Sequence, residues 1–245
     1  MVDLAVDMKV SIVIPTKNEE GLLPRLLGAL ATQTFRDFEI IVADAFSTDR
    51  TREIAASMGA RVIDGGMPGP GRNFGAKVAK GDLVFFMDAD VLPSNNHFLE
   101  EIVAEFEARG ADVATCKLKP LSDRADDQFG HDVYNNFVRA TAQVRPHAPG
   151  ACILAKRVVH ESIGGFDEEV VFIEDCEYVQ RAHKNGFRFR QMKSQPLHVS
   201  VRRLEKDGRW RIAAKYLYGE IYMIAKGPFR HMPYEYVMGG DEQKR

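Results

Sequence analysis

The stretch LVFFMDADV, from Leu83 to Val91, indicates the fold class of this chain. Its first five residues are apolar and include no glycine or proline, which is typical of a strand buried on both faces of a parallel sheet. Asp88 and Asp90 follow at the carboxyl end of this strand, where open α/β sheets bind their ligands. Two neighbouring acids repel each other unless a cation lies between them, and carboxylate oxygens suit Mg²⁺ or Mn²⁺. A solvated turn is the alternative interpretation.

Apolar runs alternate with helix-like segments on both sides of this stretch. The strand-like runs KVSIVI, FEIIVAD and RVI precede it, separated by the helix-like segments EEGLLPRLLGALATQ and STDRTREIAASMG. A helix is predicted after the glycine-rich loop DGGMPGPG, and the alternation continues to Pro120. This order predicts an α/β domain with a parallel sheet. The polar segment 122–147 breaks the pattern, and we interpret it as an insertion that covers a substrate.

The composition excludes several classes of protein. The 245 residues are 45% hydrophobic and 28% charged, as in one globular domain with a substantial core. A net charge of −2 gives no electrostatic basis for nucleic-acid binding. No basic signal peptide is evident, and no apolar run approaches the roughly 20 residues of a membrane span. Three widely spaced cysteines indicate neither a disulfide framework nor a zinc site, so we expect a cytoplasmic protein.

The segment PGPGRNFGA, from Pro68 to Ala76, lies between a short strand and a helix. Its glycines approximate a dinucleotide-binding fingerprint, but their spacing is G-x-G-x-x-x-G and the first strand of the domain carries no such loop. Two interpretations stay open. The segment is either a tight turn before a helix, or a place where backbone N–H groups and Arg72 bind an anion.

Two further groups of polar residues are candidates for chemistry. Glu174 and Asp175 follow the apolar run VVFI, and adjacent side chains on a helix point about 100° apart, so both cannot face one ligand. One of them could act as a general base, although the helix dipole also explains acids in a first turn. His198 is a candidate metal ligand or an ordinary core or surface histidine. Arg202 and Arg203 either neutralise phosphate or belong to an edge strand.

Four segments in this order resemble glycosyltransferase family 2. They are VSIVIPTKNEE, QTFRDFEIIVADAFSTDRT, GPGRNFGAKVAKGDLVFFMDADV and GGFDEEVVFIEDCEYVQRAHKNG, and the similarity runs from about Val10 to Arg203. The resemblance implies the GT-A fold, a Rossmann-like, mostly parallel sheet flanked by helices. The chain departs from the family in VADAFSTD, where Ala45 and Phe46 stand where members often have an acid and a glycine.

The resemblance also implies roles for individual residues. Asp88 and Asp90 match the D-x-D motif, which holds Mg²⁺ or Mn²⁺ on the donor diphosphate, with Asp90 the more direct ligand. Asp175 matches the general base, and Glu174 would help to position the acceptor. Pro15, Thr16 and Glu19 would line the nucleotide pocket. Asp44 would hydrogen-bond the base or ribose, and Arg72 would lie near the nucleotide.

The implied function is inverting transfer of a sugar from a UDP- or GDP-sugar to a hydroxyl of a carbohydrate or lipid-linked acceptor. The base would remove the acceptor proton while the cation neutralises the departing diphosphate. Three alternatives stay open. They are a transferase similar to dolichyl-phosphate sugar synthases with a lipid phosphate as acceptor, a catalytically silent nucleotide-sugar-binding module, and a dinucleotide-binding oxidoreductase.

The carboxy-terminal segment is predicted to form an appendage. We divide the chain into a GT-A domain, residues 1–205, and a helical appendage, residues 206–245. Within DGRWRIAAKYLYGEIYMIAKGPFRH, apolar residues recur at roughly helical spacing and the other side includes basic residues. The helix could dock on the domain, pair with another subunit of a homo-oligomer, or lie on the cytoplasmic face of a membrane. Docking is the commoner case and is expected here.

Overall fold

The computed structural model describes residues 10–231, in which an eight-stranded sheet is flanked by helices. The strands are β1 (Val10–Thr16), β2 (Phe38–Asp44), β3 (Arg61–Asp64), β4 (Leu83–Met87), β5 (Val91–Pro93), β6 (Val113–Pro120), β7 (Cys152–Lys156) and β8 (Phe189–Val199). The helices are α1 (Leu23–Ala31), α2 (Thr51–Ser57), α3 (Pro68–Val78), α4 (Phe98–Ala108), α5 (Ala125–Thr141), α6 (Arg157–Ser162), α7 (Glu174–Lys184), α8 (Arg202–Asp207) and α9 (Arg209–Lys226).

Strands β1 to β4 form the parallel half of the sheet, in the order β3-β2-β1-β4. Helices α1, α2 and α3 connect them in turn, as the alternation in the sequence predicts. In the other half, β7 is antiparallel to both β4 and β6, β8 is parallel to β6, and β5 is antiparallel to β8. The sheet is therefore mixed and mostly parallel, and the predicted α/β class is confirmed.

Strand β4 is buried on both faces, as its unbroken apolar sequence predicts. Leu83, Phe85 and Met87 join the core cluster on one face of the sheet, and Val84 and Phe86 join the cluster on the other. All five side chains are fully buried. The strand thus fixes the position of the two acids that follow it, because its own residues have no freedom to shift.

The prediction of a glycine-rich loop up to Gly71 is wrong, because α3 already begins at Pro68. Proline is well tolerated in the first turn of a helix, where backbone N–H groups have no partner within the helix. Further along α3, Gly75 has a packing role. A Cβ atom on Gly75 would lie 2.2 Å from Cγ1 of Val13, so only glycine lets α3 lie this close to β1.

A single long strand, β8, replaces the two separate strand segments that the sequence suggests. It continues through Pro196 because β6 and β5 both pair with its carboxyl half, and an irregularity at Cys116 and Lys117 of β6 absorbs the extra residues. The strand ends at Val199. Arg202 and Arg203 consequently start helix α8 and do not extend an edge strand.

Helix α9 packs on α5 and on the segment that precedes α7. Arg209 donates to both carboxylate oxygens of Asp127, at 2.7 and 2.9 Å. A Cβ atom on Gly219 would lie 2.3 Å from Cδ1 of Ile173, so the helix backbone directly contacts that side chain. The carboxy-terminal helix therefore docks on the domain, while residues 232–245 of the predicted appendage lie outside the described residues. No helix within residues 10–231 is long and apolar enough to cross a membrane.

Candidate active site

Asp44 lies at the carboxyl end of β2 and is completely buried. Its carboxylate accepts hydrogen bonds from the Thr16 hydroxyl at 3.1 Å, from the Ser47 N–H at 2.9 Å and from Nη1 of Arg52 at 3.3 Å. Thr16 ends the neighbouring strand β1, in register with Asp44. The pairing of β1 and β2 therefore brings two of the predicted nucleotide-pocket residues together.

Phe46, which stands where similar sequences often have glycine, has an unusual backbone conformation. Its φ of 55° lies in the left-handed region, which costs a residue with a Cβ about 1–2 kcal/mol and costs glycine little. The hydrogen bonds of Ser47 to Asp44 hold the loop in this conformation. The chain thus keeps the backbone shape that suits a glycine while presenting an exposed aromatic side chain.

Glu19 and Asp90 share one guanidinium group. Arg202 donates from Nη1 to Glu19 at 3.0 Å and forms a second bond to the same carboxylate through Nη2. Its Nε lies 3.2 Å from Oδ2 of Asp90. The start of α8 therefore closes over both the loop after β1 and the acids after β4.

The Asp90 carboxyl group has an unusual pKa. Burial, the neighbouring charge of Asp88 and the charge of Glu19 raise it from 3.8 to about 6, against the lowering effect of Arg202 and Arg203. A carboxyl group in this position gains from an additional positive charge nearby. Asp90 also lines a cavity of about 230 Å³ together with Arg25, Leu121 and residues of the segment 200–205.

Arg72 connects the two acid pairs of the site. From the buried surface of α3, it donates through Nη1 to Glu174 at 2.8 Å and through Nη2 to Asp88 at 3.0 Å. Burial lowers the pKa of Arg72, but the charges of Asp88, Glu174 and Asp175 outweigh it and raise that pKa, so the guanidinium stays charged. A Cβ atom on Gly150 would lie 2.4 Å from Nη2, so glycine is needed there to make room for the side chain.

Asp175 is held by backbone groups. Its Oδ2 accepts the N–H of Gly150 at 2.7 Å and its Oδ1 accepts the N–H of Cys176 at 2.8 Å. Burial and the charge of Glu174 raise the pKa of Asp175 to about 7, although Arg72 and the two N–H groups act in the opposite direction. A carboxyl group that titrates near neutral pH is suited to accept a proton from a substrate.

Two contacts of α9 support the segments around Asp175. Ile173, directly before α7, has a left-handed φ of 57°, which is unfavourable for a β-branched residue, and it packs against Gly219 of α9. Glu220, one residue further along, lies 2.9 Å from Nε2 of His147, which precedes Gly150 by three residues. Helix α9 thus packs against both the start of α7 and the loop that binds Asp175.

His198 is the predicted site residue that the structure does not connect to the others. It lies on β8 in register with Leu92 of β5 and Lys119 of β6. Burial and the charge of Lys119 lower its pKa. Within residues 10–231, no three His, Cys, Asp or Glu side chains are grouped so that they could hold a metal ion. The role of His198 as a metal ligand stays a prediction.

Comparison with known proteins identifies the family of this chain. The family model described as "Glycosyl transferase family 2" matches residues 11–164, which is more than half of the chain. The chain belongs to glycosyl transferase family 2. The matched range includes Glu19, Asp44, Arg72 and the acids Asp88 and Asp90. The identification made from the four sequence segments is therefore confirmed.

Individual known proteins are similar to this family 2 chain over different shares of its length. The 4,4'-diaponeurosporenoate glycosyltransferase of Staphylococcus haemolyticus is 42% identical over 106 residues, which are 40% of this chain and 28% of that protein. The crystal structure of S. aureus TarS 1-349 in complex with UDP superposes with a TM-score of 0.65 at 25% identity, over 79% of this chain and 61% of that one.

A third comparison concerns the fold alone. The mannosyltransferase PcManGT from Pyrobaculum calidifontis, in complex with GDP-Man and Mn²⁺, has a TM-score of 0.65 at 20% identity and is matched over 79% of this chain and 57% of that one. These structures confirm the predicted GT-A fold. This family 2 chain spans less than two thirds of the length of each of the three proteins.

A divalent cation fits the donor groups that this family 2 site offers. The carboxylates of Asp88 and Asp90 are hard oxygen ligands, and the raised pKa of Asp90 reflects an excess of negative charge around a buried group. Mg²⁺ is commonly held by one or two carboxylates together with substrate phosphates, so a third protein ligand is not needed. Arg202 is the cation that contacts Asp90 in the structure.

Two contributors to the family 2 site were not assigned their structural roles from sequence. The sequence suggests a phosphate ligand or an edge-strand residue at Arg202, yet Arg202 binds Glu19, which is 183 residues away in the chain. No sequence pattern assigns a role to Gly150, although its N–H binds Asp175. The sequence offers a weak signal for Gly150 in the dipeptide Pro149-Gly150, which indicates a turn, but none for its partner.

Proposed function

We propose that this chain is an inverting, divalent-metal-dependent glycosyltransferase that moves a sugar from a nucleoside diphosphate sugar to an acceptor hydroxyl. The observation that carries the proposal is the position of Arg72 between Asp88 and Glu174. One guanidinium ties the acids at the end of β4 to the helix that carries Asp175. A cation-binding pair and a carboxyl group titrating near neutrality are therefore joined in one site.

The donor would lie along the carboxyl ends of β1, β2 and β4. Asp44 is assigned to hydrogen bonding with the base or ribose, with Pro15, Thr16 and Glu19 lining the same pocket. Support comes from the direct bonds of Thr16 and Ser47 to Asp44, which fix its orientation. The UDP and GDP-Man that the similar structures contain suggest a nucleoside diphosphate sugar as the donor here.

Asp90 and Asp88 are assigned to hold Mg²⁺ or Mn²⁺. When bound, the ion supplies positive charge that stabilises the departing diphosphate. Arg202 sits on Asp90 and Glu19, from where its guanidinium can also offer bidentate hydrogen bonds to a phosphate group. Support for the assignment comes from the raised pKa of Asp90, since an added cation would relieve the repulsion among the carboxylates.

Asp175 is assigned as the general base. A carboxylate oxygen has two lone pairs, so either oxygen can accept a proton while keeping its bond to a backbone N–H. It would take the proton of the acceptor hydroxyl as that oxygen bonds to the anomeric carbon. The bond from that carbon to the diphosphate breaks at the same time, and its electron pair leaves with the diphosphate. Glu174 is assigned to acceptor positioning beside it.

A thermal-shift panel tests this proposal. UDP, GDP, dTDP, CMP and NAD are each added with Mn²⁺ or with EDTA to the wild type, to Asp90→Ala and to the control Asp37→Ala, which changes an exposed acid before β2. We expect one nucleoside diphosphate to raise the melting temperature only with Mn²⁺, in the wild type and in the control but not in Asp90→Ala. No shift with any nucleoside diphosphate, or an equal shift in Asp90→Ala, would contradict the proposal. A shift with NAD alone would favour the oxidoreductase alternative.

The remaining assignments of the protein are also proposals. A cytoplasmic location agrees with the three cysteines, which are all buried and free. A homo-oligomer is compatible with the exposed apolar side chains of α9 and α5.

A further inference from the structure

Helix α9 has two apolar faces, and only one of them packs on the protein. Ile212, Gly219 and Met223 are buried against the domain. Trp210, Leu217, Ile221 and Ile224 recur at spacings of seven, four and three residues and therefore form one stripe. Their exposed fractions are 89%, 63%, 58% and 68%. The stripe, which we call the outer face of α9, spans about 21 Å at 1.5 Å per residue.

The charges of α9 are distributed unequally between its two faces. Its single acid, Glu220, is turned inward onto His147 and Arg145. Arg209 is likewise bound inward to Asp127. Arg211 and Lys226 are both exposed, but at about 100° per residue only Arg211 flanks the stripe, whereas Lys226 lies on the opposite side of the helix. An apolar stripe flanked by an exposed arginine, on a helix whose single acid is turned inward, is typical of a helix that lies in the interface of an anionic membrane.

The exposed aromatic residues of α9 also favour binding at a membrane surface. Trp210 is the most exposed apolar side chain of α9 and stands at its beginning, and Tyr218 is half exposed. Trp and Tyr combine an apolar ring with a polar N–H or O–H group, and for this reason they favour the boundary between lipid and water.

A second copy of the chain fits the outer face less well. In a two-fold symmetric contact the same surface meets itself, so the Arg211 side chains of the two copies would flank one contact and repel each other. The acid that could pair with them, Glu220, is already bound inside. An anionic bilayer, in contrast, supplies negative charge along the whole stripe.

We infer that the outer face of α9 binds the surface of a membrane that contains anionic phospholipid, with the helix lying in the plane of the interface. The inference goes beyond the proposed transfer reaction and does not depend on it.

Vesicle co-sedimentation tests this inference on the full chain. The wild type is mixed with phosphatidylcholine vesicles that either contain or lack phosphatidylglycerol. We expect binding to the mixed vesicles that is about fivefold stronger than to pure phosphatidylcholine, since one cation near an anionic surface contributes about that factor. Arg211→Glu should weaken binding to the mixed vesicles about fivefold or more, because it replaces attraction by repulsion.

A double variant and a matched control separate the outer face from other surfaces. Leu217→Glu with Ile221→Glu should reduce vesicle binding more than tenfold, because two apolar side chains no longer enter the lipid. Val158→Glu makes the same kind of change at an exposed position of α6 and should leave binding unchanged. All variants alter exposed residues, so their melting temperatures should stay within a few degrees of the wild type.

Three results would contradict membrane binding by the outer face of α9. Absence of wild-type binding to the mixed vesicles overturns the inference. Equal loss of binding in Val158→Glu and in the double variant overturns it as well, because the effect then belongs to added charge and not to the outer face. Sedimentation velocity without lipid that shows a dimer dissociated by the double variant would assign the face to a second copy. The nucleotide panel is run on the same variants, so a failure of donor binding is recognised separately.

Discussion

The two acid pairs of the site are alike in composition but differ in their surroundings. In each pair the first acid, Asp88 or Glu174, binds Arg72. The second acid of each pair, Asp90 or Asp175, has a raised pKa because of burial and because of its neighbour's charge. Asp90 is bound by the guanidinium of Arg202, whereas Asp175 is bound by two backbone N–H groups.

This difference separates two kinds of chemistry. A side-chain cation such as Arg202 can be replaced by another cation, so Asp90 is suited to exchange its partner for a divalent ion. Backbone N–H groups are fixed and carry no full charge, so Asp175 keeps its orientation while its proton comes and goes. Arg72 holds the two pairs at a fixed separation. Four predictions test whether the two acids really differ in this way.

Asp175→Asn should produce the largest effect. If Asp175 is the general base, its removal should lower kcat by about 10²–10⁴ for a hydroxyl acceptor, because the amide cannot accept the proton. The donor nucleotide should still bind, since Asp175 lies in the other acid pair from the cation site. Steady-state kinetics with the donor class found by the nucleotide panel measure the first effect, and the thermal shift with that nucleotide measures the second.

The same variant distinguishes between classes of acceptor. A lipid phosphate is already an anion and needs no base, so a loss of activity below about tenfold would favour the transferase similar to dolichyl-phosphate sugar synthases. Absence of turnover in the wild type with every hydroxyl and phosphate acceptor tried, combined with normal donor binding, would favour the silent binding module.

Arg72→Met should cause the next largest effect. It leaves Asp88, Glu174 and Asp175 without their shared cation. Because the bonded carboxylates of Asp88 and Glu174 are partly exposed, the loss of these charged hydrogen bonds should cost about 1.5–3 kcal/mol of unfolding free energy. The pKa of Asp175 should rise further, because Arg72 now lowers it. The control is Arg50→Met, which breaks an exposed pair with Glu53 and should cost less than about 1 kcal/mol. Equal losses in both variants, measured by urea unfolding, would show that Arg72 does not join the two pairs.

Local sequence patterns predicted the parallel half of the sheet well. β2 has the predicted bounds because Phe38–Asp44 is an apolar run that ends in an acid, and β4 is recognisable because it has no polar residue. Both elements are short and buried, and their neighbours in the sheet are close in sequence. The acids at their ends were therefore placed correctly, at the carboxyl edge of the sheet.

The connections between distant segments could not be predicted. Arg72 and Glu174 are 102 residues apart, and Arg202 and Glu19 are 183 apart, so no local pattern records either ion pair. For both ion pairs a tertiary contact decided the outcome. The start of α3 differs from the prediction for a local reason, because glycine and proline usually mark loops but proline is also tolerated in the first turn of a helix.

The dependence of activity on pH should reflect the raised pKa values of Asp175 and Asp90. Asp175 acts as a base only when ionised, so log(kcat/KM) should fall by about one unit per pH unit as the pH drops below about 7. Below about 6, protonation of Asp90 should also weaken cation binding, and the slope should approach two. In the wild type, one inflection near pH 4 with no change between 5 and 8 would mean that neither carboxyl group has the assigned role.

Arg202→Gln should have the smallest effect of the four changes. It tests directly whether Asp90 binds a divalent cation. The guanidinium competes with an added cation for the Asp90 carboxylate, so its removal should tighten Mn²⁺ binding about fivefold without nucleotide, equivalent to about 1 kcal/mol. Titration of Mn²⁺ followed by electron paramagnetic resonance measures this affinity, and Arg211→Gln, at an exposed position of α9, is the control. Asp175→Asn should leave Mn²⁺ affinity unchanged, because the cation site belongs to the other pair. If Arg202→Gln and Asp175→Asn changed Mn²⁺ affinity equally, the two acid pairs would act as one cluster, and the division between an ion-binding acid and a proton-accepting acid would be wrong.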